Sequence, residues 1–206
     1  MKLLSARMDR IRPSGTLAAA DTARKLKEQG KKVFDLAEGE PDFPTPVHIR
    51  QAANKIIDGG IIRYTSADGI PALKKAIQGK YADERGVNIS LDNIIVGSGA
   101  KQLIFCAFMA TLNEGDEVVA PVPCWVSYKS IAEVFGGQFV PVDTNEKNNF
   151  KTSVGELAKH LNSRTKWIIL NSPNNPTGAV YDEKFYYDLE TLLARHPHIM
   201  VMSDEI

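Results

Sequence analysis

The chain has 206 residues, with 25 basic and 25 acidic side chains and an apolar content of 43%. A net charge of zero argues against a nucleic-acid protein, which carries a basic excess, and against an acidic solvating tail. The apolar share is ordinary for a globular protein of one or two domains. Cys106 and Cys124, both in apolar contexts, are too few for a disulfide framework and point to a reducing cytoplasm. Arg7, Asp9, Arg10 and Arg12 cut short the apolar start at Leu3-Leu4, so no leader segment is expected, and no apolar run is long enough to span a bilayer.

In chain order, Leu17, Ala20, Ala23 and Leu26 predict an amphipathic helix from Thr16 to Gly30. Val33 to Leu36 reads as a short strand, and Glu38 to Pro46 as a Pro-rich polar loop. Helices are expected at about 46–58, 71–85 and 100–112, with a strand at Ile94-Ile95-Val96 entering Gly97-Ser98-Gly99. Strands follow at Glu117–Ala120, Gln138–Val142, Lys166–Leu170 and Ile199–Met202, separated by helices at about 126–136, 153–162 and 182–195. This alternation predicts an α/β fold with a mostly parallel sheet covered by helices on both faces.

Four loops carry candidate chemistry. Asn171 to Gly178 packs two Pro, four Asn or Gly residues, one Ser and one Thr behind a buried strand, where regular structure cannot continue. Open α/β sheets place ligands at that end of their strands, so the loop is read as one that aims an amide side chain. Gly97 to Gln102 joins a strand to a helix and reads either as a phosphate cradle or as a small-residue turn with Ser98 as a cap. Trp125, in a Pro-fixed loop past a strand end, either stacks on an aromatic ligand or belongs to the core. Asp204, at the last strand's end, needs a partner, either a protonated ring nitrogen or a structural contact. Tyr64, in a loop before a helix, could donate to a phosphate or pack on the surface.

Taken together, Ala37 to Phe43, Gly97 to Lys101, Asn171 to Gly178 and Ser203-Asp204-Glu205-Ile206 resemble the class I, fold-type-I aminotransferases that use pyridoxal 5′-phosphate. The resemblance covers the whole chain and is closest to the prokaryotic aspartate and aspartate/prephenate aminotransferase subgroup. It implies that Asp204 pairs with the cofactor's ring nitrogen and keeps it protonated. It further implies that Asn175 bonds the ring oxygen and the substrate α-carboxylate, and that Trp125 stacks on the ring and helps fix the substrate. Gly99, Ala100 and Lys101 hold the phosphate, Tyr64 reaches the cofactor phosphate of a second subunit, and Gly39 meets the α-carboxylate. Ser14, Thr16 and Lys101 resemble the groups that receive a dicarboxylate's distal end. Arg12 stands where a basic residue in related enzymes favours prephenate. Cys124 and Lys129 depart from the Tyr and Pro found in many relatives, and neither carries an assigned role.

The resemblance implies residues 1–45 as an N-terminal arm and part of a small domain, and 46–206 as the first part of a large cofactor-binding domain with an incomplete sheet. It implies an enzyme that moves the amino group of aspartate to a 2-oxo acid, 2-oxoglutarate or prephenate, as a cytoplasmic homodimer with no nucleic-acid, membrane or metal partner. The Schiff-base lysine of the family lies beyond Ile206, so residues 1–206 alone are expected to be inactive and poorly folded. Alternatives are another fold-type-I enzyme, such as a C–S lyase or an aminocyclopropane-carboxylate synthase, an aminotransferase-like sensor fused to a DNA-binding module, and a cofactor-free doubly wound binding protein. Lys101, Ser14 and Thr16 favour the aminotransferase.

Overall fold

A computed structural model describes residues 3–13, 15–36, 39, 41–61 and 63–205. Its contacts divide the chain into two compact units, Pro13–Gly97 and the combination of Met1–Arg12 with Ser98–Ile206. Ser14, Ala37, Glu38 and Glu40, which the sequence reading used, lie outside the described residues.

The unit Pro13–Gly97 carries helices α1 (Gly15–Glu28), α2 (Val47–Asp58) and α3 (Pro71–Arg85). The ends of α3 follow from its residues. Pro71 supplies a preset φ where no backbone donor is needed, and Gly86 takes φ +65° so that the Val87 N–H can return to the Tyr81 carbonyl at 3.2 Å. Two expected strands are absent. Residues 31–36 form no ladder, and Phe34 and Leu36 are exposed. Ile94 to Val96 also lies outside any sheet: the Val96 N–H donates to the Asp68 carbonyl at 3.0 Å, a loop contact. β-prone residues become a strand only when a neighbouring strand takes up their backbone groups, and among the described residues neither segment has one.

The other unit is built on a four-stranded, fully parallel sheet in the order β2-β1-β3-β4, with β1 (Glu117–Val122), β2 (Gln138–Asp143), β3 (Thr165–Asn171) and β4 (Met200–Asp204). Side chains alternate between two cores, as the pleat requires. Val118, Ala120 and Ile169 pack beneath α4 (Ala100–Thr111) and α5 (Ser127–Val134), whose Ile104, Phe108, Ile131 and Ala132 close that face. Val119, Ile168 and Leu170 pack on the opposite face beneath α6 (Val154–Ala158) and α7 (Glu183–Leu193), through Leu157, Phe185, Leu189 and Leu192. The expected parallel sheet with helices on both faces is thus present. The sixth helix is shorter than its periodicity suggested. Beyond Ala158 the chain tightens into i→i+3 bonds, His160 N–H to Leu157 O at 3.0 Å and Leu161 N–H to Ala158 O at 3.3 Å, before turning into β3.

A short 3-10 helix, Ala6–Arg10, packs against α5. Arg10 fixes it by giving one guanidinium nitrogen to both carboxylate oxygens of Glu114, at 2.9 and 3.1 Å. Across the unit, Glu117 is buried where the β1–β3 register shifts. Its carboxylate accepts from Arg164 Nε at 2.9 Å, Arg164 Nη2 at 2.5 Å and Asn162 Nδ2 at 2.7 Å. Removing it strips a buried charged acceptor from three donors of Arg164 and Asn162. Glu117→Ala is therefore expected to destabilise the intact protein by about 2 kcal/mol. Urea denaturation checks this, and an unchanged midpoint would contradict it. Among the described residues, no helix is long and apolar enough to cross a membrane.

Candidate functional site

The C-terminal ends of β1, β3 and β4 converge with the start of α4 in a continuous chain of contacts. Lys101, in the first turn of α4, places its Nζ 5.0 Å from the centre of the Trp125 ring. Trp125 meets the Tyr128 ring edge-on, with centroids 5.4 Å apart and planes at 84°. The Tyr128 hydroxyl donates to Asp204 Oδ2. The backbone carbonyl of Asp204 accepts from Asn171 Nδ2 at 2.7 Å, and Asn171 Oδ1 accepts the Asn175 N–H at 2.6 Å. Lys101, Trp125, Asp204 and Asn175, named from sequence, are therefore linked.

The 171–178 loop is as specified as its composition suggests. Asn174 Oδ1 accepts from the Thr177 N–H at 3.2 Å and from the Thr177 hydroxyl at 2.9 Å, while the Asn174 carbonyl takes the Gly178 N–H at 2.8 Å. The Asn174 N–H closes the loop on the Ala179 carbonyl at 2.9 Å. The Ser172 hydroxyl accepts the Tyr181 N–H at 3.1 Å. With these side chains committed to the loop, the exposed amide of Asn175 has no hydrogen-bond partner among the described residues. Of the three Asn side chains, those of Asn171 and Asn174 build the loop, and that of Asn175 is committed to neither.

The turn into α4 has the chemistry of an anion seat. Gly99 is the N-cap, at φ +82° and ψ 163°, with no side-chain cap. A Cβ there would meet nothing within 4 Å, so the backbone is open to close approach. Ser98 is not the cap: its own N–H is taken by Gln102 Oε1 at 2.5 Å. The first-turn amides of Ala100 and Lys101 have no intrahelical acceptors, and the helix dipole adds positive potential there.

Arg12 is exposed and, with Pro123, Cys124, Trp125, Lys129 and Glu133, lines a cleft of about 680 Å³. Cys124 is partly buried, and burial pushes its thiol up to about 11, which keeps it protonated and unreactive at neutral pH. Thr16, Gly39 and Tyr64 belong to the other unit, where Tyr64 is fully exposed. Ser14 lies outside the described residues. Among the described residues, no cluster of His, Cys, Asp and Glu is placed to hold a metal ion.

The sequence reading missed two members of the site. Tyr128 is buried on α5, and its position three residues, about one helical turn, after Trp125 was the available signal. Asn171 was read as the first residue of the loop. As the first strongly polar residue after the apolar run Ile168-Ile169-Leu170, and 5% exposed, it had to satisfy its amide internally.

Comparison with known proteins places this arrangement. The family described as "Aminotransferase class I and II" matches residues 31–206. A probable aspartate/prephenate aminotransferase of Rickettsia felis is 43% identical over all 206 residues, which cover 50% of that protein. The crystal structure of an aspartate aminotransferase from Rhizobium meliloti superposes with a TM-score of 0.93 at 41% identity, over 99% of this chain and 51% of that one. An aspartate aminotransferase from Thermus thermophilus with maleate gives 0.94 at 38% identity, over 100% of this chain and 54% of that one. The chain spans about half the length of the relatives it matches.

Proposed function

Because the chain belongs to the class I and II aminotransferase family, whose members depend on pyridoxal 5′-phosphate, we propose that it forms part of an enzyme moving the amino group of L-aspartate to a 2-oxo acid, 2-oxoglutarate or prephenate, in two half-reactions. The observation that carries the reading is the linkage of an acidic strand end, an uncommitted amide and an open helix N-terminus around one indole ring. That donor set fits the cofactor: an anion seat for its phosphate, a carboxylate for its ring nitrogen, an amide for its ring oxygen and a flat face for its ring. When bound, pyridoxal phosphate supplies the electron sink and carries the amino group between the half-reactions.

The residues divide the work. The backbone of Gly99, Ala100 and Lys101 holds the phosphate dianion. Asp204 holds the proton on the ring nitrogen by opposing its positive charge. Asn175 orients the ring oxygen and the substrate α-carboxylate, and Trp125 excludes water from one ring face. The Lys101 ammonium, together with Arg12, supplies charge for a second carboxylate, with the hydroxyls of Ser14 and Thr16 as further donors. Maleate, which accompanies the Thermus relative, is itself a dicarboxylate. Gly39 as a contact for the α-carboxylate and Tyr64 as a contact for a second subunit's cofactor belong to the same proposal. So do a cytoplasmic homodimer and the division into an arm at 1–45 and a large domain from 46.

In the intact protein, stoichiometric L-aspartate is expected to yield oxaloacetate in a single half-turnover, and 2-oxoglutarate to restore the starting absorbance. Release of pyruvate instead would mark a lyase. Lys101→Ala leaves the phosphate-binding backbone in place and removes one charged partner of the distal carboxylate. It is expected to raise KM for aspartate by about 10- to 100-fold, with little change for alanine, since a hydrogen bond to a charged group is worth about 1.5–3 kcal/mol. Equal effects on both amino acids in steady-state assays would remove Lys101 from substrate selection.

A further inference from the structure

The phenol beside the acidic strand end has a function that its burial alone does not require. Tyr128 is 1% exposed, and its ring is packed within the core that holds Ile131, Ala132 and Ile169. Apolar packing would be served as well by Phe. Among the described residues the hydroxyl has one hydrogen-bond partner, Asp204 Oδ2, and Asp204 Oδ1 has none. Burial, followed by the bond to Asp204, raises the phenol above its ordinary value, so it is protonated at all working pH values and acts as the donor. The same ring supports Trp125 edge-on. Two residues assigned to the cofactor therefore rest on one side chain.

We propose that Tyr128 is a positioning residue that pins Oδ2 of Asp204, fixes the carboxylate rotamer and leaves Oδ1 as the oxygen that meets the ring nitrogen of pyridoxal phosphate. The inference rests on the assignment of Asp204 to that nitrogen. A carboxylate joined to its strand by two rotatable bonds otherwise samples several orientations, and holding it costs binding energy that the buried donor offsets in advance. Without the hydroxyl, Trp125 keeps its support and Asp204 loses its anchor.

Tyr128→Phe in the intact protein separates these contributions. The apo protein is expected to keep its fold, because the ring contacts persist, with a melting temperature lowered by only a few degrees for the one hydrogen bond lost. The dissociation constant for pyridoxal phosphate, read from quenching of tryptophan fluorescence, is expected to rise about 10-fold, the scale of one hydrogen bond to a charged group. kcat should fall by a similar factor with KM for aspartate little changed, and the pH at which the bound cofactor's absorbance changes should shift. Wild-type cofactor affinity and an unshifted absorbance titration in the variant would overturn the proposal, as would failure of the variant to fold, which would mark the hydroxyl as structural. A wild-type protein that binds no pyridoxal phosphate would instead sink the assignment of Asp204, and this inference with it.

Discussion

Asp204→Asn is expected to lower kcat/KM for aspartate in the intact protein by about 1,000-fold, while leaving the fold in place. The two side chains are nearly isosteric, and the Asn carbonyl oxygen can still accept from the Tyr128 hydroxyl. What the substitution removes is a negative charge. Opposite charges in contact at a partly buried site interact by about 4 kcal/mol at an effective dielectric constant of 20. Loss of that much from a step that needs the ring nitrogen protonated is about three decades in rate. The backbone carbonyl of residue 204, which accepts from Asn171, is untouched, so the 171–178 loop keeps its anchor. Steady-state kinetics beside a urea melt check both halves. A variant within tenfold of wild type would show that Asp204 does not govern the ring's charge, and a large loss of stability would show that its contribution is structural.

How much of this was legible in the sequence depends on the range of the interaction. The two-core sheet could be read because alternation in Val118-Val119-Ala120 and Ile168-Ile169-Leu170 is local and reports both faces of a strand at once. The 171–178 loop could be read because Pro and Asn restrict their own backbone. Val33–Leu36 and Ile94–Val96 misled for the converse reason: their composition fits a strand, but strand formation depends on a partner distant in sequence, and none is present among the described residues. The same limit hid Tyr128. Its partner is 76 positions away, and only the arrangement of β1 and β4 on either side of β3 brings α5 to the end of β4. Likewise, which of Asn171, Asn174 and Asn175 is free for a ligand could not be told from residue type, because all three are amides within five positions. The hydrogen bonds of the other two decide it.

Asn171 concentrates that dependence, and its removal is the second large effect expected. The side chain is 5% exposed and satisfies both of its ends: Oδ1 takes the Asn175 N–H and Nδ2 donates to the Asp204 carbonyl. Asn171→Ala leaves one backbone donor and one backbone acceptor without partners next to a core, at about 1–3 kcal/mol for each group that water does not reach. A loss of about 2–3 kcal/mol in stability is expected, with a fall of about 100-fold in kcat/KM, because the loop bearing Asn175 and the strand end bearing Asp204 are no longer tied together. Asn171→Asp distinguishes the two bonds. The carboxylate still accepts from Asn175, but it sets a negative charge against the Asp204 carbonyl, where a donor stood. If the tie between loop and strand is what matters, Asn171→Asp is as impaired as Asn171→Ala in kcat/KM. If only the Asn175 N–H needs satisfying, the Asp variant recovers most of the activity. Urea denaturation and aspartate kinetics on the two variants decide between these, and wild-type kinetics in Asn171→Ala would mean that Asn175 and Asp204 hold their positions without this bridge.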